Sequence, residues 1–227
     1  MSDMKVALQA VTSALVGLVV FGLLVFWPAG TFDYWQGWAF IAVFAASTMI
    51  PSSYLAATNP AALKRRMQVG PAAETRALQK IIITFAFFSI GAMIVVSAVD
   101  FRFGWSSVPA AVSVVGDVLV AVGLLISMIT TIQNGYAAAN ISVESDQTVV
   151  STGVYSVVRH PMYFGNVVLM IGIPLALGSY WGLVFVIGGL VVLVTRILDE
   201  EKVLTQQLAG YLDYARRVHY RLVPGVW

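Results

Sequence analysis

Long apolar runs broken by short polar interruptions set the pattern of this chain. The first follows Lys5 and continues to about Pro28. An uncharged stretch from Tyr34 to Leu63 holds a second, with its core from Trp35 to Ala57. Others cover Ile81 to Val99 and about Val108 to Ile132, the latter interrupted only by Asp117. A hairpin of two further segments, about Tyr163 to Leu177 and Trp181 to Thr195, bends near Pro174 and Gly178-Ser179. About 20 apolar residues cross a bilayer core as a helix, so the pattern predicts an all-α polytopic membrane protein with about six transmembrane helices. The first run is too long for a signal-peptide core and reads as a spanning helix. Residues 1–133 form the N-terminal helices and residues 134–227 a more polar region built around the hairpin, in one structural unit.

Composition agrees with a membrane chain: 59% of residues are hydrophobic, 11% are charged, and the mean hydropathy is +0.85. A net charge of +2 is too small to imply a nucleic-acid partner. Without cysteine there is no disulfide, thiolate metal site or cysteine nucleophile, and no metal is expected. The loop with Lys64, Arg65, Arg66, Arg76 and Lys80 is strongly basic, whereas the turns at 28–34 and 100–107 are not. The positive-inside rule places that loop in the cytoplasm, and six crossings bring the N-terminus, the 134–160 segment and the C-terminus to the same side. Trp27, Trp35, Trp38, Trp105 and Trp181 suit the opposite interface. Asp117 inside a span is a functional candidate, although packing explains it more simply.

The scarce polar groups concentrate in two clusters at the cytoplasmic ends of the hairpin. The chain turns polar from Asn134 to Arg159, and Val149 to Tyr155 has strand-like and turn-like character, with Gly153 suited to a positive φ. Arg159-His160-Pro161-Met162-Tyr163 then starts a helix, proline fitting the first turn because its missing amide would be unpaired there. Such a start can receive an anion, or can serve only as an interface anchor. After 35 uncharged residues comes Arg196, with Glu200 one turn on and Glu201 beside it. An exposed pair at this spacing is worth about 0.2–0.5 kcal/mol, and arginine first is the weaker order. A guanidinium fork at the bilayer boundary is better suited to a carboxylate or phosphate on a lipid-like molecule, and Glu200 to a cation. Tyr211, Tyr214, Arg216, Arg217, His219, Tyr220 and Arg221 read as a basic-aromatic tail lying on headgroups.

Gly153-Val-Tyr155, the RHPMY segment, the apolar hairpin, Arg-x-x-x-Glu-Glu, Gly210-Tyr-x-x-Tyr214 and the closing Tyr-Arg-Leu-Val-Pro-Gly-Val-Trp resemble the isoprenylcysteine carboxyl methyltransferase family over roughly residues 130 to 227. Asp33-Tyr-Trp-Gln-Gly-Trp38 and Asp100-Phe-Arg-Phe-Gly-Trp105 resemble its bacterial-type members. The resemblance implies an integral membrane methyltransferase using S-adenosyl-L-methionine. It assigns Gln147, Thr148, Val149, Val150, Tyr155, His160, Pro161, Met162 and Tyr163 to the cofactor pocket, with Glu200 as the acid contacting the cofactor. Arg196 resembles the residue facing the methyl-accepting carboxylate, which makes Arg196 and Glu200 the catalytic candidates. A glutamine of the family's pattern is replaced by Asn140 in an ungapped alignment and by Glu144 with a short gap. The implied partners are a lipophilic or prenylated acceptor and membrane lipids. Related architectures leave phospholipid N-methylation and NADPH-dependent reduction of lipid double bonds as alternatives, with a non-enzymatic scaffold behind them.

Overall fold

In a computed structural model of the protein, residues 3–67, 70–74, 76–136 and 147–227 are described. Eight α-helices follow in order: α1 (Asp3–Ala29), α2 (Trp35–Thr58), α3 (Pro60–Met67), α4 (Ala77–Phe103), α5 (Ala110–Gln133), α6 (Pro161–Ala176), α7 (Val184–Gln207) and α8 (Tyr211–Arg217). Short 3₁₀ turns occur at Pro71–Ala73, Gly153–Ser156 and Trp181–Leu183. No strand occurs among the described residues, so the strand-like character of Val149 to Tyr155 resolves into extended chain followed by a 3₁₀ turn. Gly153 takes the expected positive φ, 59°, with the Gln133 side chain packed over it.

Among the described residues, four helical segments are long and apolar enough to cross a membrane: α2, α4, α5 and the stretch Trp181–Gln207. Of the other two expected spans, α1 is 27 residues long and Pro161–Ala176 is shorter. At 1.5 Å per residue, the 16 residues of α6 reach about 24 Å. Helix α7 exceeds its apolar run by three turns, carrying Arg196, Glu200 and Glu201 on a continuous helix beyond Thr195.

α5 and α6 pack backbone to backbone. A Cβ on Gly123 would stand 2.6 Å from the Gly165 carbonyl oxygen, and one on Gly172 would stand 2.8 Å from the Val120 nitrogen. Gly116 and Gly123 repeat at seven residues on one helix, as Gly165 and Gly172 do on the other, giving the small-residue seam by which membrane helices approach closely. Phe40, Met93, Ile94, Val120 and Ile173 fill the core between α2, α4, α5 and α6.

The end of the bundle at the hairpin bend is tied by Asp100. Its carboxylate accepts from the Ser106 amide at 2.7 Å, the Ser106 hydroxyl at 2.6 Å and the Ser179 hydroxyl at 2.5 Å. Tyr34 donates to the Leu177 carbonyl at 2.5 Å and stacks on Phe101. These bonds anchor the bend and leave the other end of the hairpin to carry the polar clusters.

Candidate active site

The RHPMY segment enters α6 as its sequence suggests, with Pro161 in the first turn. What fixes the entry is the tail. The Arg159 and His160 amides donate to the Tyr220 and Arg221 carbonyls, each at 2.9 Å. Below them lies Glu201, which sequence reasoning passed over in favour of Glu200. One Glu201 oxygen is 3.3 Å from His160 Nε2 and 3.2 Å from Arg159 Nε, and the other accepts from Arg221 Nε at 2.8 Å. Arg159 Nε lies out of line for a hydrogen bond, so its contact with Glu201 is coulombic. A buried carboxylate needs such compensation to remain charged, and this one staples the helix entry and the tail to α7.

Glu200 and Arg196 meet through a phenol. Tyr163 donates to Glu200 Oε2 at 2.5 Å and accepts from Arg196 Nε at 3.0 Å. Arg196 is 7% exposed, and its Nη1 donates to Glu74 Oε1 at 3.0 Å and to Gln79 Oε1 at 2.7 Å. The Gln79 amide is fixed at both ends, because its Nε2 donates to Asp199, which also receives a two-pronged contact from Arg76 at 2.7 and 2.8 Å. Glu74, Arg76 and Gln79 are therefore bonded to the same stretch of α7 that carries the second cluster. Glu74, Gln79 and Asp199 were not legible as site residues. The one available signal was Gln79, a polar residue in the first turn of the otherwise apolar α4.

All ten residues expected around the cofactor line one cleft. Gln147, Thr148, Val149 and Val150 form one wall, and Tyr155 stands beside them. His160, Pro161, Met162 and Tyr163 form the helix-entry side, with Glu200 opposite. Leu204, Leu208, Tyr211 and Tyr214 complete the enclosure together with Asn134 and Tyr136, none of which had been assigned to it. The space is about 800 Å³ with its open mouth included. Within the tail, Tyr211 and Tyr214 are buried against the cleft, while Arg216, Arg217, His219 and Tyr220 remain exposed. Asn140 and Glu144 fall outside the described residues.

Chemically the cleft offers, among the described residues, one carboxylate, Glu200, set among aromatic walls. Burial pushes the Tyr155 hydroxyl up to about 12, against a smaller opposite effect of its bond from Asn134 Nδ2 at 3.2 Å. Tyr211 and Tyr214 are likewise raised by burial, so all three are neutral phenols at physiological pH. Tyr214 donates to the Tyr155 carbonyl at 2.8 Å, while the buried Tyr211 hydroxyl has no hydrogen-bond partner among the described residues. A buried hydroxyl left without a partner is costly and is explained where a ligand supplies one. Electron-rich rings around the Glu200 carboxylate suit a cationic ligand bearing an aromatic base, which is the chemistry of S-adenosyl-L-methionine.

Arg196 does not line this cleft. It lies on a second cavity, of about 1220 Å³ with its mouth included, between α4, α5, α6 and α7. Arg66, Tyr163, Asn166 and Arg196 mark its polar end, and Ile90, Leu169, Ile173 and Leu193 its apolar depth. Met162 and Tyr163 line both cavities and form the partition between them.

Residues 111–210 match the family model of phospholipid methyltransferases. The matched 100 residues are a little under half of the 227-residue chain, and they contain every residue that the sequence assigned to the cofactor or the acceptor, but not Tyr211 and Tyr214 of the cleft. No curated protein matches the chain.

Proposed function

We propose that this protein is an integral membrane methyltransferase that uses S-adenosyl-L-methionine to methylate a lipophilic acceptor, with a carboxylate of the isoprenylcysteine type as the accepting group. One observation carries the reading: a polar cleft holding Glu200 and an apolar cavity holding Arg196 meet at Met162 and Tyr163. The matched family model supports the reaction class. The basic loop supports placing the site on the cytoplasmic side.

When bound, S-adenosyl-L-methionine supplies a sulfonium-borne methyl that transfers as sulfur keeps the electron pair. Glu200 would face that positive charge, and Tyr155, Tyr211 and Tyr214 would enclose the rest of the molecule. Arg196, held by Glu74, Gln79 and Tyr163, would fix the acceptor's polar end at the partition. A carboxylate acceptor is already ionised at neutral pH and needs no general base. The chain's contribution is then positioning and exclusion of water, and well-oriented reactants can gain about 7–11 kcal/mol in this way. That agrees with His160 being committed to Glu201 at the helix entry.

The family match itself favours a second acceptor, the amine of a phospholipid. The two are separated by incubating the purified protein with methyl-labelled S-adenosyl-L-methionine and a membrane lipid extract. Label in an alkali-labile product is the expected result, because esters hydrolyse. Alkali-stable label in a choline-type headgroup would assign the phospholipid amine, and no transfer to either would remove the reading.

A further inference from the structure

The polar end of the second cavity contains a cation, Arg66, whose charge no carboxylate among the described residues balances. Arg66, at the end of α3, reaches across to α5, where its Nη1 donates to Thr131 Oγ1 at 2.7 Å and to the Ser127 carbonyl at 3.3 Å. Both partners are neutral. No carboxylate pairs with Arg66 among the described residues, although Arg76 and Arg196 nearby each have one, Asp199 and Glu74. Burial accordingly lowers the Arg66 pKa, and no neighbouring acid offsets it. A partly buried guanidinium without a counterion is unfavourable unless something else supplies the negative charge. Below it the cavity is walled by Ile83, Phe87, Leu124 and Leu169.

We infer that Arg66 receives the anionic head of a single-chain amphiphile whose apolar tail fills the cavity between α4, α5, α6 and α7. The site rests on the proposed methyltransferase reading only in taking this amphiphile as the methyl acceptor. Arg196 is already compensated by Glu74 and orients the acceptor's polar end, while Arg66 provides the unmatched charge that selects an anion over a neutral or zwitterionic head. Arg66 lies outside the matched residues 111–210, so acceptor selection would be a property of the N-terminal half of the chain.

The probe is cis-parinaric acid, a fluorescent fatty acid, compared with its methyl ester on the purified full-length protein in a non-ionic detergent. The two share a chain and differ in head charge. The acid is expected to bind tighter by on the order of tenfold. Arg66→Gln removes the preference while leaving ester binding in place, and Arg66→Lys, which keeps the charge, retains most of it. Equal affinity of the wild-type protein for acid and ester overturns the inference. A full acid preference in Arg66→Gln also overturns it, because the head then sits elsewhere. Should Arg66→Gln fail to fold, the wild-type comparison and Arg66→Lys still decide. S-adenosyl-L-methionine binding on the same preparations fails independently if the methyltransferase reading is wrong.

Discussion

Tyr163 stands between a carboxylate and a guanidinium with one hydroxyl, donating to Glu200 and accepting from Arg196. The i, i+4 spacing of Arg196 and Glu200 put them on one face of a helix, and their shared phenol lies 33 residues back on α6. That separation is why the pair was legible and its linkage was not. Because Arg196 faces the second cavity and Glu200 the cleft, substitutions at the two should act on different steps. Arg196→Lys keeps a charge but loses the fork that engages Tyr163, Gln79 and Glu74 together. Turnover is expected to fall by on the order of a hundredfold, the scale of a misplaced reactant. Affinity for S-adenosyl-L-methionine should stay within a few-fold. Methyl transfer and cofactor binding measured on one preparation check this, and a joint collapse would place Arg196 in the cofactor site or the fold.

Among the elements, α5 and α6 depend on glycine. No side chain fits at Gly123, where the atoms a Cβ would meet are the Gly165 carbonyl oxygen and the Leu169 nitrogen at 2.6 and 2.8 Å. Gly123→Leu should therefore destabilise the protein by about 1–3 kcal/mol, the usual scale of overpacking. Gly91→Leu on α4, where nothing lies within 4 Å, should stay within about 0.5 kcal/mol. Thermal unfolding of both variants in detergent tests the difference. Helix existence followed from the apolar runs, since a run of that length has few alternatives in lipid. Helix ends did not. The apolar run of α7 stops at Thr195, but the helix continues to Gln207 because Arg196, Asp199 and Glu201 find partners on α4, the segment before it and the tail. Those partners lie up to 123 residues away, beyond any local periodicity.

At the scale of the molecule, the bonds of Glu74, Arg76 and Gln79 to α7 place the end of the basic loop beside the site. Loop and tail should therefore share one side of the membrane, with the turn at Thr31 on the other. The chain has no cysteine, so single cysteines report cleanly. Ala72→Cys and Asp213→Cys, both at exposed positions, are expected to react with an impermeant thiol reagent from the cytoplasmic face, and Thr31→Cys from the other. Reaction of the first two from opposite faces would dismantle the assembled site.

Cofactor identity is the claim on which the proposed reaction depends, and calorimetric titration of the purified protein with S-adenosyl-L-methionine and, separately, NADPH tests it most directly. Glu200 is the carboxylate among the described residues of the cleft, and charge-assisted contacts of this kind are worth about 1.5–3 kcal/mol. The wild-type protein should bind S-adenosyl-L-methionine and not NADPH, and folded Glu200→Gln should bind it about tenfold to a hundredfold more weakly. Binding of NADPH alone, or S-adenosyl-L-methionine affinity unchanged by Glu200→Gln, would contradict the assignment.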